Sequence, residues 1–397
     1  MHVVFLSEHF HKRPSGPRKA CLELARAMEQ QGHRVSLIGM APRNEDEAWT
    51  GSGPACLRRY AWRWLPVRLG RPRFFARELA RLHAQSPIDA VLAMGLEAGA
   101  AALRFRAQSG VPYVLNPRSY LGEAVGHPKF SLARRLTEQC NGFIALSPAA
   151  CKAWFARLGS EVPGLARGIF NGCTPGRPSG PQSAHREPMI LSVGMLRRTK
   201  GHHLVIRALA ELKRQPWTLL IAGDGKERAH LERDITRLGL TSKVKLAGLV
   251  DRGELDALYG QADFFCLFPI YFEACGNAFL EAMAAGLPIV ASQAGGVPEV
   301  LATEQGRGVR LVPLRGAADV DEDLVLPDLV AALADQLAIR RGTPPWTAQS
   351  IALTCRAETL TWQHAAQGYI EVLAQARLTA PQPLRISGPP RPPRYSL

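Results

Sequence analysis

Glu273 and Glu281 stand eight positions apart in YFEACGNAFLEAMAAGLPIVAS, residues 271–292, where almost every other residue is apolar or small. A carboxylate among core-type residues needs hydrogen-bond donors, because burying it bare is costly. A ribose diol would supply two. Between the acids, Gly276 and Asn277 mark a helix start, whose backbone N–H groups and positive dipole end suit a phosphate. Gly276 also lets the backbone come close to a ligand. Either acid alone would read as a surface charge. The pair, with a glycine-opened helix between them, reads as a ligand site.

Three glycine-bearing turns follow predicted strands in this half of the chain: VGMLRRTKG (193–201), AGDGKE (222–227) and FEACGNAF (272–279). A parallel sheet binds ligands outside the C-terminal ends of its strands, so the three turns should edge one site. None is GxGxxG, and GMLRRTKG lacks the GK[ST] ending of a phosphate-binding P-loop.

The elements that must position these residues come from hydrophobic periodicity. Strands are predicted at 2–7, 34–40, 89–94, 112–117 and 142–147, and helices at 19–33, 96–108, 129–139 and 148–158. A second alternation has strands at 189–195, 218–224, 243–248, 263–268 and 288–292, with helices at 202–213, 227–239, 252–261 and 277–285. Strand–helix alternation of this kind builds parallel sheets covered on both faces. The expectation is two doubly wound α/β domains: residues 1–172, a Pro/Gly/Ser-rich linker at 173–187, and residues 188–348. One long helix over 349–376 and a disordered Pro-rich tail at 377–397 complete the reading.

The chain has 397 residues, 46% of them apolar, enough for two cores. MHVVFLSEHF reads as a first strand rather than a secretion signal, and AVLAMGLEAGAAAL (90–103) is too short and too weakly apolar to span a membrane. Eight scattered cysteines, with no CxxC pair, read as buried thiols in a reducing cytoplasm. The net charge of +15 is uneven: residues 1–160 hold 23 Lys/Arg against 11 Asp/Glu, a balance of +12. The segment 57–81, LRRYAWRWLPVRLGRPRFFARELAR, carries eight arginines among Trp, Tyr and Phe. That mixture suits an anionic membrane interface, or equally a solvated helix face. No RNA- or DNA-binding motif accompanies it.

Together these stretches resemble the family 4 retaining glycosyltransferases, whose E-x7-E signature matches Glu273 and Glu281. ILSVGMLRRTKGHHLVIRALAEL, LLIAGDGKERAHLE, VKLAGLVDRGELDALYGQADFFCLFP and GGVPEVL are similar to successive family motifs in the second half. LARAMEQQGHRVSLI and GIFNGCTP fit the first half, and LTWQHAAQGYIEVL (360–373) fits the family's last helix, which crosses back onto the first domain. The resemblance implies the GT-B fold, two Rossmann-like domains facing a cleft. It also implies transfer of a hexosyl unit, with retention, from a UDP- or GDP-linked sugar to a glycan or lipid-linked acceptor of the bacterial cell envelope, such as lipopolysaccharide.

The roles it implies are specific. Glu281 would bind the ribose and Glu273 the transferred sugar, with the amides of Gly276, Asn277 and Ala278 on the distal phosphate or sugar. Lys200, with Arg197 or Arg198, would neutralise the leaving diphosphate, so that neither metal nor cofactor is needed; preorganised cations at a leaving group do that work. Gly194, Gly223 and Gly16 fall at the family's glycine turns. Three positions depart from the pattern: Met195 stands where many relatives have arginine, Ser15 before Gly16 where the first-domain turn is usually Gly-Gly, and Arg118 where many have histidine. Arg118 could polarise the acceptor or bind an anionic part of it. The expected setting is the cytoplasm, peripheral on the inner face of the membrane. A nucleotide-sugar epimerase on the same scaffold, or a partner subunit without turnover, are the competing readings.

Overall fold

The structure, a computed structural model, describes residues 1–7, 16–40, 57–60, 70–118, 128–161, 163–176, 187–303, 306–316 and 320–379; at 17, 40, 57–60 and 128 it describes the backbone alone. The chain divides into two units: Met1–Gly172 with the segment beginning at Trp362, and Cys173–Thr361.

In the first unit the run His2–Ser7 forms β1, buried at every position, as a strand covered on both faces must be. After it come α1 (Gly16–Gln30), β2 (Arg34–Met40), β3 (Leu57–Tyr60), α2 (Arg71–Gln85), β4 (Ala90–Met94) and α3 (Leu96–Ser109). Then follow β5 (Tyr113–Asn116), α4 (Pro128–Gln139), β6 (Gly142–Ala145), α5 (Pro148–Leu158) and β7 (Ala166–Gly168). The sheet is parallel, in the order β3-β2-β1-β4-β5-β6-β7. Local chemistry sets the helix limits. At α5, the Ser147 hydroxyl accepts the N–H of Ala150, Pro148 takes the first helical position and left-handed Gly159 ends the helix.

The second unit repeats the scheme with β8 (Met189–Val193), α6 (His202–Glu211), β9 (Thr218–Ala222), α7 (Arg228–Arg237), β10 (Val244–Gly248), α8 (Arg252–Gln261) and β11 (Phe264–Leu267). It continues with α9 (Asn277–Ala284), β12 (Ile289–Ser292), α10 (Val297–Val300), β13 (Val309–Val312), α11 (Glu322–Leu337) and α12 (Pro344–Thr359). Its parallel sheet runs β10-β9-β8-β11-β12-β13. The order reverses between β8 and β11, the place where open α/β sheets bind ligands.

The long helix expected over 349–376 is two helices, α12 and α13 (Trp362–Ala376). The cause is a bond from a distant part of the chain. The N–H of Cys173 donates to the Leu360 carbonyl at 2.7 Å, and Cys173 bridges Thr361, so that carbonyl is lost to a continuing helix. Residues 349–359 therefore stay with the second unit, and α13 belongs to the first. There Trp362, Ala366, Tyr369 and Leu373 enter one buried cluster with Val3, Phe5, Leu24 and Met28. Helix α1 spans Gly16–Gln30 rather than 19–33, ending where Gly32 turns left-handed. Most of the predicted linker and of the predicted tail lies outside the described residues. Within 57–81, Phe75 is only 1% exposed. It belongs to the core, not to an interface. No helix among the described residues is long and apolar enough to cross a membrane.

Candidate functional site

In the second unit the turns after β8 and β9 meet backbone to backbone. The N–H of Leu196 donates to the Asp224 carbonyl and that of Glu227 to the Leu196 carbonyl, both at 3.0 Å. Gly223 must be glycine, since a Cβ there would lie 1.9 Å from the Gly194 carbonyl oxygen. The turn after β8 ends in one 3-10 turn, Arg198–Lys200. It is tied to the loop after β11 by the Ile270 N–H on the Thr199 carbonyl, 3.0 Å. The loop after β12 backs this one, with the Gly296 N–H donating to the Glu273 carbonyl at 2.8 Å.

These ties bring Lys200 and Glu273 together. The Lys200 ammonium donates to Glu273 Oε2 in a close ion pair, partly shielded from solvent, at the reversal of strand order. Next to it α9 opens on Gly276, whose left-handed backbone (φ 70°) suits a residue without Cβ. Asn277 and Ala278 form its first turn and Glu281 its second. Glu281 already has donors: Arg252 Nη1 at 2.7 Å on Oε1 and the Tyr259 hydroxyl at 3.2 Å on Oε2. Arg252 is the first residue of α8, started by the Asp251 side chain accepting the Glu254 N–H, and it also bonds Asp256. Burial, and then the neighbouring Glu281 carboxylate, push the Tyr259 hydroxyl pKa well up, so it stays a donor.

The two candidate arginines separate. Arg198 turns away from Lys200 and donates to Glu322 Oε1 at 2.5 Å, at the start of α11. Glu322 also bonds His203 at 2.9 Å and Arg207 at 3.0 Å. Burial alone would raise the Glu322 pKa, but His203, Arg198 and Arg207 together hold it down. Of the two arginines expected beside Lys200, Arg198 is thus held by a carboxylate 124 residues away. Arg197 is exposed, and its side chain has no partner among the described residues. Met195 is 51% exposed beside Gly194.

Behind Lys200, His202 opens α6 and is buried, with Nδ1 3.2 Å from Ser192 Oγ and Nε2 unpartnered. Burial, aided by the charge of Lys200, lowers its pKa to about 4, so it is neutral at physiological pH. Arg252, Tyr259 and Glu322 were not anticipated as site residues. Only the positions of Arg252 and Tyr259 on one face of α8, seven apart, could have hinted at two of them.

Residues 15–161 match the model of the "Glycosyl transferase 4-like domain" and residues 179–313 that of "Glycosyl transferases group 1"; together they span well over half of the chain. Both halves of the chain are glycosyltransferase domains. An uncharacterised glycosyltransferase of Methanocaldococcus jannaschii is 42% identical over 119 residues, 30% of each chain. A lipopolysaccharide core biosynthesis glycosyltransferase of Rhizobium meliloti is 34% identical over 110 residues, 28% of this chain and 31% of the relative. The chain thus aligns with only about a third of either relative's length. Its fold is GT-B. Sucrose-phosphate synthase of Thermosynechococcus elongatus superposes with a TM-score of 0.75 at 21% identity, covering 94% of this chain and 98% of that one. HepE of Anabaena, solved with UDP-glucose, gives 0.72 at 21% identity, covering 94% and 99%.

In the first domain Gly16 is the first residue of α1, and residues 8–15 just before it lie outside the described ones. Arg118 follows β5 with a backbone φ of 61°, and its Nε and Nη1 are buried without a hydrogen-bond partner.

Proposed function

We propose that this glycosyltransferase moves a hexosyl unit, with retention at the anomeric carbon, from a UDP- or GDP-linked sugar to a glycan or lipid-linked acceptor in cell-envelope polysaccharide synthesis. The observation that carries the reading is the Lys200–Glu273 pair at the strand-order reversal, with Glu281 on the adjoining helix. As the bond from the anomeric carbon to the diphosphate oxygen breaks, negative charge grows on the leaving group. A lysine held there beforehand stabilises that charge without reorganisation. Glu273, released from Lys200, is then free to accept from sugar hydroxyls. Glu281, in a polar niche with Arg252 and Tyr259, takes the ribose diol. Arg197 is the second cation for the diphosphate, since Arg198 is held by Glu322. These cations take the place of a divalent metal.

Support for the donor comes from the HepE structure with UDP-glucose, and for the envelope setting from the Rhizobium relative. The +12 balance of residues 1–160 fits an acceptor carried by an anionic membrane, with the enzyme peripheral on its cytoplasmic face. The test is a panel of UDP- and GDP-sugars, scored for thermal stabilisation and hydrolysis, with the anomeric configuration of any product read by NMR. An inverted product, or no response to any nucleotide sugar, would overturn the reading.

A further inference from the structure

We propose that Arg118 is an anion clamp in the first domain, and that the sugar substrate it serves carries a carboxylate or phosphate group; this rests on the glycosyltransferase reading above. Among the described residues Arg118 is the one non-glycine with positive φ, at 61°. That conformation is strained for a side-chain-bearing residue and persists only where its surroundings impose it. Here they do. The Arg118 N–H donates to Asn116 Oδ1 at 3.1 Å. Asn116, fully buried, donates from Nδ2 to the Tyr369 hydroxyl at 2.6 Å, and Tyr369 is buried in α13. A helix from the far end of the chain thus fixes the turn that carries Arg118.

Among the described residues, the turn presents a charge without a counter-charge. Nε and Nη1 are shut off from solvent and bond to nothing, and no carboxylate pairs with the guanidinium among the described residues. Arginine stays protonated, so it cannot escape by neutralising. A partly buried guanidinium with two unpartnered nitrogens is unfavourable until an anion meets it. Carboxylates and phosphates are the groups that guanidinium donors bind best. Position agrees, for Arg118 follows the C-terminal end of β5. That strand lies next to β4, and the strand order reverses between β1 and β4. Backbone strain, an imposed turn and a half-buried guanidinium with two unpartnered nitrogens together describe a site waiting for an acidic ligand.

The experiment heats the full-length protein, in a phosphate-free buffer of fixed ionic strength, with glucuronate, glucose 6-phosphate, inorganic phosphate or neutral glucose. The acidic sugars are expected to raise the melting midpoint and glucose to leave it unchanged. A response to glucuronate alone identifies a carboxylate; one to glucose 6-phosphate identifies a phosphate, and one to inorganic phosphate as well a phosphate bound without its sugar. Arg118→Gln should weaken the acid-dependent response about tenfold or more in apparent affinity. It should leave stabilisation by UDP or GDP intact. Without ligand, Arg118→Gly relieves both the strain and the partly buried charge, and should raise the midpoint by about 2–4 °C. Equal response to acid and neutral sugars, or a lower midpoint for Arg118→Gly, overturns the proposal. Absence of any UDP or GDP response in the wild type would instead strike the donor reading.

Discussion

Arg252 and Glu281, on neighbouring helices α8 and α9, form an ion pair of 2.7 Å that occupies one oxygen of the carboxylate proposed to hold the ribose. The arginine is half exposed while Glu281 is largely shielded, so the guanidinium lies over the carboxylate from the solvent side. Any diol that reaches Oε1 has to share it with this guanidinium or displace it.

Two substitutions separate the partners. Glu281→Gln should weaken nucleotide binding by about 1–3 kcal/mol, the range for a lost charge-assisted hydrogen bond. Arg252→Ala should strengthen it by up to about 1 kcal/mol, the worth of a partly exposed ion pair that no longer competes. Calorimetry with the free nucleotide measures both. Weaker binding by Arg252→Ala would make that arginine part of the nucleotide site rather than its competitor.

Lys200→Ala should lower turnover by about 10²-fold or more, as loss of a preorganised charge at a leaving group does. The fold should survive, because Lys200 sits in a short turn rather than in the hydrophobic core. The same assay repeated in EDTA should leave wild-type turnover unchanged if Lys200 and Arg197 supply the charge compensation. A fall in EDTA, restored by added magnesium, would require a cation in the mechanism.

Acid should weaken the second domain through His202. Its folded pKa, about 4, lies below the ordinary 6.5, so between those values the unfolded chain binds a proton that the folded one refuses. Stability is therefore full above pH 6.5 and is lost as pH falls toward 4, at up to about 1.4 kcal/mol per pH unit. Denaturation midpoints across that window should slope less steeply for His202→Gln than for wild type. Parallel slopes would place the acid sensitivity elsewhere.

Reversing Arg58, Arg59 and Arg63 to glutamate should release the protein from anionic vesicles while sparing activity on a short soluble acceptor. Each basic residue near such a surface contributes about 1 kcal/mol, screened by salt. Co-sedimentation at low and high salt is the measurement. Wild-type protein indifferent to vesicle charge would end the membrane reading.

The strands at the centre of each sheet were readable because parallel strands buried on both faces leave continuous apolar runs, as in His2–Ser7 and Phe264–Leu267. The edge strands β3 and β13, LRRY and VRLV, place charges among apolar residues over only four positions and give no such signal. Helix α11 hides behind an internal proline, Pro327. The break between α12 and α13 was invisible because the group that causes it, Cys173, lies 187 residues before Leu360. The site follows the same rule. Glu273 and Glu281 stood out by contrast with apolar neighbours. Arg198 could be separated from Arg197 only by its bond to Glu322, which tertiary folding supplies.

Helix α13 has a further consequence, for the order of events during synthesis. Its residues Trp362, Tyr369 and Leu373 complete the cluster around Val3, Phe5 and Leu24. The first sheet, although made first, thus lacks one wall until α13 itself has left the ribosome. Among the described residues the second unit ends with α12. The later-made half is therefore free to finish first, while the N-terminal sheet waits with its apolar face open, a surface that chaperones would have to guard.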